Sequence, residues 1–120
     1  MLRTILKSKI QKAIVTECNL EYSGSITIDE DLLDAADIIP NEKVQVVNLN
    51  TGARIETYVI SGAKGSGIIG MNGGAARCAM TGDKLLIMSY VLMETKDAVT
   101  QEPKVIYLNG NNKIQDKKQQ

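Results

Sequence analysis

The run EKVQVVNLNTGARIETYVI, Glu42 to Ile60, decides the fold class. EKVQVVNLN (42–50) reads as a strand, the short NTG (50–52) as a turn, and ARIETYVI (53–60) as a second strand. Together they read as a hairpin. In the second strand Arg54, Glu56 and Tyr58 alternate with Ile55, Thr57 and Val59, so the two sets face opposite sides of the sheet. Arg54 and Tyr58 lie roughly 13 Å apart along the strand and can line one pocket without touching. The plain alternative is a solvated polar face.

Outward from the hairpin the same grammar continues. SGAKGSGIIGMNGGAA (61–76) holds six of the ten glycines, with IIG as a short strand inside it. GDKLLIMSYVLM (82–93) and KVIYL (104–108) read as further strands. Upstream, SITI (25–28) is a short strand. DEDLLDAADIIP (29–40) is a helix with Asp29 as N-cap, acids in its first turn and Pro40 as its stop. The first sixteen residues fit two periods: Leu2, Leu6, Ile10 and Ile14 recur every four, yet AIVT (13–16) favours a strand, with Lys7 and Lys9 on its polar side. Short strands with turn signals and one short helix predict a small β-barrel over 1–108. NGNNKIQDKKQQ (109–120) is expected to be a polar, disordered tail.

Composition removes whole classes of function. Fourteen basic and fourteen acidic residues cancel, so no overall field draws the 13.0 kDa chain to nucleic acid or anionic membrane. No apolar run approaches the roughly 20 residues that span a bilayer. The basic start lacks the apolar core of a secretory signal. Cys18 and Cys78 are far apart and no histidine exists, which argues against a zinc site and for a reducing cytosol. Without histidine there is no Ser-His-Asp or Cys-His nucleophile. Proton transfer falls to Tyr, Lys, Cys, Asp, Glu, water or backbone.

Two local motifs need weighing. GAKGSG (62–67) looks superficially like a phosphate loop, but its lysine precedes the Gly-Ser instead of following the second glycine. NGGAA (72–76) reads most simply as an Asn-Gly turn, or else as a loop whose bare N–H groups approach a ligand. LEYSGSIT (20–27) raises the chemical question. Gly24-Ser25 is either a surface turn or a carbonyl beside a hydroxyl that can attack it, and Gly65-Ser66 repeats the pair.

The combination is more specific than its parts. YSGSITID (22–29), LDAADI (33–38), NTGARIETYVI (50–60), GSGII (65–69), NGGAA (72–76) and GDKLLIMSY (82–90) occur in this order and at these distances. From Met1 to about Leu108 the chain resembles the bacterial aspartate 1-decarboxylases, pyruvoyl-dependent enzymes that make β-alanine for pantothenate. The resemblance implies a mainly β fold, a double-psi β-barrel with short helices, assembled as a homotetramer with sites between neighbouring subunits. It selects Gly24-Ser25 over Gly65-Ser66 as a point of self-cleavage and implies a covalent pyruvoyl group derived from Ser25, with no metal and no pyridoxal phosphate. The implied substrate is L-aspartate and the implied location cytoplasmic, with neither nucleic acid nor membrane as partner; any maturation factor is left open. Lys9, Arg54, Thr57, Tyr58, Asn72, Gly73, Gly74 and Ala75 are implied around the site. Gly74 departs from the alanine common in that family. In this scheme Thr57 is a donor to the cleavage oxyanion, Arg54 a fork for a substrate carboxylate, Lys9 a second cationic contact and Tyr58 the proton donor.

One tension follows. Thr57 and Tyr58 are adjacent, so a regular strand aims them at opposite faces. Either a bulge re-aims one of them, or they serve sites shared with different subunits. The reading opposed to catalysis is a small β-barrel binding module in which Gly24-Ser25 is a turn.

Overall fold

The computed structural model describes residues 1–116. It is mainly β, with the short helices that the sequence led us to expect. The strands are β1 (Leu2–Ile14), β2 (Glu17–Asn19), β3 (Ile26–Asp29), β4 (Lys43–Asn48), β5 (Arg54–Gly62), β6 (Ile69–Asn72), β7 (Lys84–Glu94), β8 (Lys104–Leu108) and β9 (Ile114–Gln115). Helix α1 (Glu30–Ala36), a 3-10 helix (Gly73–Cys78) and the single turn α2 (Thr95–Ala98) complete the chain. Strand order is β2-β6-β3-β5-β4-β7-β1-β8-β9. The β3–β5, β1–β8 and β2–β6 pairs are parallel and the rest antiparallel.

The 42–60 hairpin forms as read. Val46 opposes Ile55 and Val44 opposes Thr57 on the inner face, while Gln45 opposes Glu56 and Lys43 opposes Tyr58 on the outer face. Gly52, at φ 81°, closes the turn and donates its N–H to the Asn48 carbonyl. The inner rows join Ile10, Ile87, Val46, Ile26, Ile28, Val59 and Ile69 in one aliphatic core. Each such side chain contributes roughly 1.5–3 kcal/mol on burial, so a core without Phe or Trp suffices.

The double periodicity of the first sixteen residues has a physical cause. β1 carries two irregularities against β7, between Leu6 and Ser8 and between Gln11 and Ala13. Each inserts an extra residue and flips the side-chain phase. Leu6 therefore shares the outer face with Tyr90, whereas Ser8 and Ile10 turn inward and are fully buried. Lys9 and Gln11 stay on the outer face between the two bulges.

Three expectations are corrected. α1 begins after Asp29, as expected, but ends at Ala36 and not at Pro40. Asp37 takes the left-handed conformation (φ 56°) and its N–H reaches the Asp34 carbonyl, while Ile38 donates to Leu33. NGGAA does not form an Asn-Gly hairpin turn. Gly73, at φ 58°, opens the 3-10 helix instead. The tail, expected to be disordered from 109, is structured through Asp116, because β9 pairs with β8. Buried Asn112 explains this. Its side chain accepts from Ile14 N–H and donates to the carbonyls of Ile14 and Gly67, tying the tail to β1 and the glycine-rich loop. Residues 117–120 of the expected tail lie outside the described residues.

Asp29 joins three parts of the fold. Its carboxylate accepts N–H bonds from Asp31 (2.8 Å), Gly65 (2.9 Å) and Gly67 (2.8 Å). The glycine-rich loop thus spends its N–H groups on the protein's own carboxylate, where a phosphate loop would present them to a ligand. Burial pushes the Asp29 carboxyl up, but the bonds from Gly67, Asp31 and Gly65 outweigh it and hold the group below the usual carboxylate range. A folded pKa below the unfolded value of about 3.9 means the unfolded chain binds the extra proton. This stability is present in full above about pH 4 and is lost as pH falls through the folded value. Asp29→Asn is expected to destabilise the protein by about 2–3 kcal/mol at pH 7. It should also flatten the acid limb of stability below about pH 4. Denaturant titrations across pH check both.

Candidate active site

Ser25 occupies an unusual backbone position. It is 1% exposed, and both it (φ 92°) and Gly24 (φ 108°) take left-handed backbone angles. For a side-chain-bearing residue this conformation costs on the order of 1–3 kcal/mol. The β3–β5 ladder begins only at Ile26 and Val59, so strand β5 through Thr57 has no neighbour on the Ser25 side. A cavity of about 440 Å³ opens there, lined by Gly24, Ser25, Thr57, Tyr58, Ala75 and Cys78 among others.

Asn72 holds Ser25 in this position twice over. Its backbone N–H donates to the Ser25 carbonyl at 3.0 Å, and its Nδ2 donates to Ser25 Oγ at 3.0 Å. The same Nδ2 donates to Thr27 Oγ1 at 2.9 Å. Thr27 is a site neighbour that sequence reasoning did not name, although alternation along β3 places it on the Ser25 face. Behind Gly24 stands Gly73. A Cβ at Gly73 would lie 2.5 Å from Gly24 N, 2.7 Å from the Tyr22 carbonyl and 2.8 Å from Gly24 Cα. Only a glycine lets the 3-10 helix press so closely on the 22–24 backbone. At Gly74 a Cβ would meet nothing within 4 Å, so the departure at this position is sterically free.

The expected site residues fall into two groups. Ser25, Thr57, Gly74 and Ala75 line the cavity, and Asn72 is tied to it through its bond to Ser25 Oγ. Lys9, Arg54 and Tyr58 stand on the outer face of the sheet. Lys9 opposes Met88, which opposes Gln45, which opposes Glu56, making one transverse row. Arg54 donates from Nη1 to Gln45 Oε1 at 2.8 Å, and the Tyr90 hydroxyl donates to the same oxygen at 3.1 Å. Lys9 and Arg54 do not line the Ser25 cavity, whereas exposed Tyr58 borders it. The β4–β5 register runs without interruption through Thr57 and Tyr58. No bulge re-aims either of them, so a single chain sends the two side chains to opposite faces. A groove on the outer face, lined by Thr4, Lys43, Gln45, Glu56 and Tyr90, lies away from Ser25.

Lys7, the bulge residue beside Lys9, donates to Glu42 at 2.8 Å, and Ser89 donates to the same carboxylate oxygen. Burial pushes the Glu42 carboxyl up, but the bonds from Lys7, Ser89 and Ile39 N–H bring it below its ordinary value. This pins the bulge that turns Lys9 outward. Both cysteines are free thiols. Cys18 donates to the Ala79 carbonyl at 3.4 Å, and burial, with Asp83 and Glu17 nearby, pushes its thiol up. Cys78 lines the Ser25 cavity, which nothing in its sequence context signals. Among the described residues no group of three or more His, Cys, Asp and Glu side chains could hold a metal ion, and no helix is long and apolar enough to cross a membrane.

Comparison with known proteins decides the family. The family model described as Aspartate decarboxylase matches residues 1–115. The chain belongs to the aspartate decarboxylase family. It is 60% identical over 114 residues to the aspartate 1-decarboxylase of Carboxydothermus hydrogenoformans, covering 95% of this chain and 90% of that one. It is 56% identical over 115 residues to the aspartate 1-decarboxylase of Bacillus subtilis strain 168, covering 96% and 91%. Among solved structures, the computationally designed msDPBB_sym2 protein aligns with 74% of this chain and 100% of its own, at 14% identity and a TM-score of 0.43, a likeness too slight to bear on the site. The aspartate decarboxylase match spans every residue of both groups described above, from Lys9 to Ala75.

Proposed function

We propose that this chain is a proenzyme that cleaves itself between Gly24 and Ser25 and then decarboxylates L-aspartate to β-alanine and CO₂, supplying pantothenate synthesis in the cytoplasm. The observation that carries the reading is Ser25 itself: buried, strained, and clamped at Oγ and carbonyl by one asparagine.

Self-cleavage uses groups already in place. Ser25 Oγ attacks the Gly24 carbonyl carbon, the C–N bond breaks, and the acyl group passes to oxygen, leaving an ester and a free amine. A serine without a basic partner is a weak nucleophile, so positioning and strain must contribute. Gly24 has no side chain of its own to shield its carbonyl, and Asn72 fixes Oγ. The Thr57 hydroxyl is our candidate donor to the oxyanion. Loss of the Ser25 Cα proton and rupture of Cβ–Oγ then release residues 1–24 with a C-terminal carboxylate. The dehydroalanine left at position 25 takes up water and loses ammonia, giving a pyruvoyl group.

The surroundings fit that group: position 25 is buried and opens on a cavity where Glu56 is the only charged lining residue among the described residues. Once formed, the pyruvoyl group supplies the electron sink for departure of the α-carboxylate as CO₂. The chain's residues bind and protonate. Arg54, a planar fork, suits a substrate carboxylate. Lys9 offers a second cationic contact. Backbone N–H groups of the Gly73–Ala75 segment, whose Gly74 and Ala75 line the cavity, bind substrate, and the Tyr58 hydroxyl delivers a proton to the carbon that lost CO₂.

The outward placement of Lys9 and Arg54 supports a homotetramer, in which the outer-face lysine and arginine of one subunit complete the Ser25 cavity of the next. Intact mass tests the maturation. The purified chain should separate into residues 1–24 and a larger piece beginning with a borohydride-reducible carbonyl; a chain that stays at 13.0 kDa refutes it. Tyr58→Phe should leave cleavage intact and slow β-alanine formation by at least about tenfold. Unchanged turnover would remove Tyr58 from the donor role.

A further inference from the structure

Gly24 lies between two cavities. One is the Ser25 cavity. The other, about 350 Å³, is lined by Tyr22, Ser23 and Gly24 on one side and by Gly73, Gly74 and Arg77 on the other. Gly24 and Gly74 belong to both. Arg77 sits in the last turn of the 3-10 helix, exposed, and among the described residues no carboxylate pairs with it. Among the described residues, a guanidinium beside the 22–24 backbone therefore lacks a counter-ion before cleavage. The cleavage chemistry creates one at that place, because it ends with a carboxylate on Gly24.

We propose that Arg77 receives the Gly24 carboxylate as it leaves Ser25, speeding the elimination and then retaining the end of the 1–24 fragment. This rests on the self-cleavage reading above. In the step, water or hydroxide takes the Ser25 Cα proton. The C–H electron pair forms the Cα–Cβ double bond, and the Cβ–Oγ pair stays with the departing carboxylate. The ester is uncharged and the leaving group anionic, so a nearby cation stabilises the transition state more than the ground state. A planar fork suits the two carboxylate oxygens. Among the described residues the Ser25 cavity offers no such partner, its only charged lining residue being Glu56.

The test follows freshly made full chain by intact mass, with hydroxylamine added to samples to trap the ester as a 1–24 hydroxamate. Arg77→Gln should release the fragment about fivefold more slowly, the upper range for an ion pair open to solvent. The trapped ester should rise to match. Arg77→Lys should recover part of the rate. High salt should slow the wild type while leaving Arg77→Gln unmoved. In a Ser25→Ala background, where no carboxylate forms, Arg77→Gln should leave the melting temperature unchanged; a lower one marks a structural role and overturns the inference. Release at the wild-type rate, or slowing without accumulated ester, overturns it too. A wild type that never splits is a different result: it refutes the self-cleavage reading and takes the inference with it.

Discussion

Ser25→Ala is expected to leave one unbroken chain of 13.0 kDa and to reduce β-alanine formation on the order of 10³-fold or more. The substitution removes the attacking oxygen, so no ester forms, residues 1–24 are not released, and no keto group arises at position 25. Folding should survive. Asn72 Nδ2 loses Ser25 Oγ as acceptor but keeps Thr27 Oγ1, and its backbone N–H still reaches the residue 25 carbonyl. The expected cost is about 1 kcal/mol. Intact mass, a melting curve and a β-alanine assay on one preparation separate lost chemistry from lost fold. A variant that still splits at this junction would place the nucleophile elsewhere.

The second large effect concerns a residue with no side chain. Gly73→Ala puts a methyl within 2.8 Å of three backbone atoms, Gly24 N, the Tyr22 carbonyl oxygen and Gly24 Cα, at a φ of 58°. Backbone cannot swing aside as a flexible side chain can. Either the 3-10 helix lifts away or the 22–24 segment shifts, and the second outcome moves the Gly24 carbonyl relative to Ser25 Oγ. The expected result is a loss of about 2 kcal/mol or more in stability. Self-cleavage should slow by roughly 10²-fold. Gly74→Ala is the control one residue on. Its Cβ meets nothing within 4 Å, so it should be neutral or stabilise by about 0.4–1 kcal/mol through the unfolded chain. Equal behaviour of the two variants would show that close approach at Gly73 is unimportant.

Much of the fold was legible because it depends on local rules. The 42–60 hairpin, the β7 run and the Asp29 cap each follow from alternation, turn residues or a single side-chain acceptor. The bulges in β1 were not legible. An extra residue changes which positions face inward, and Leu6, Ser8 and Lys9 carry no local sign of where it falls. The tail misled for a related reason: NGNNKIQ is polar by composition, yet Asn112 is buried because its partners are Ile14 and Gly67, distant in sequence.

For the site the division is similar. The order and spacing of motifs pointed to Gly24-Ser25, and alternation alone separated Thr57 from Tyr58. Thr27, Arg77 and Cys78 went unnamed, since nothing in their neighbouring residues places them beside Ser25.

The amino-acid sequence by itself determined most of the strands, the histidine-free chemistry and the family, because these depend on residue identity and short-range spacing. Tertiary structure alone decided that Asn72 clamps Ser25, that Gly73 presses on the 22–24 backbone, and that Lys9 and Arg54 face away from both. These are contacts between segments far apart in the chain, and register, bulges and barrel packing set which atoms meet.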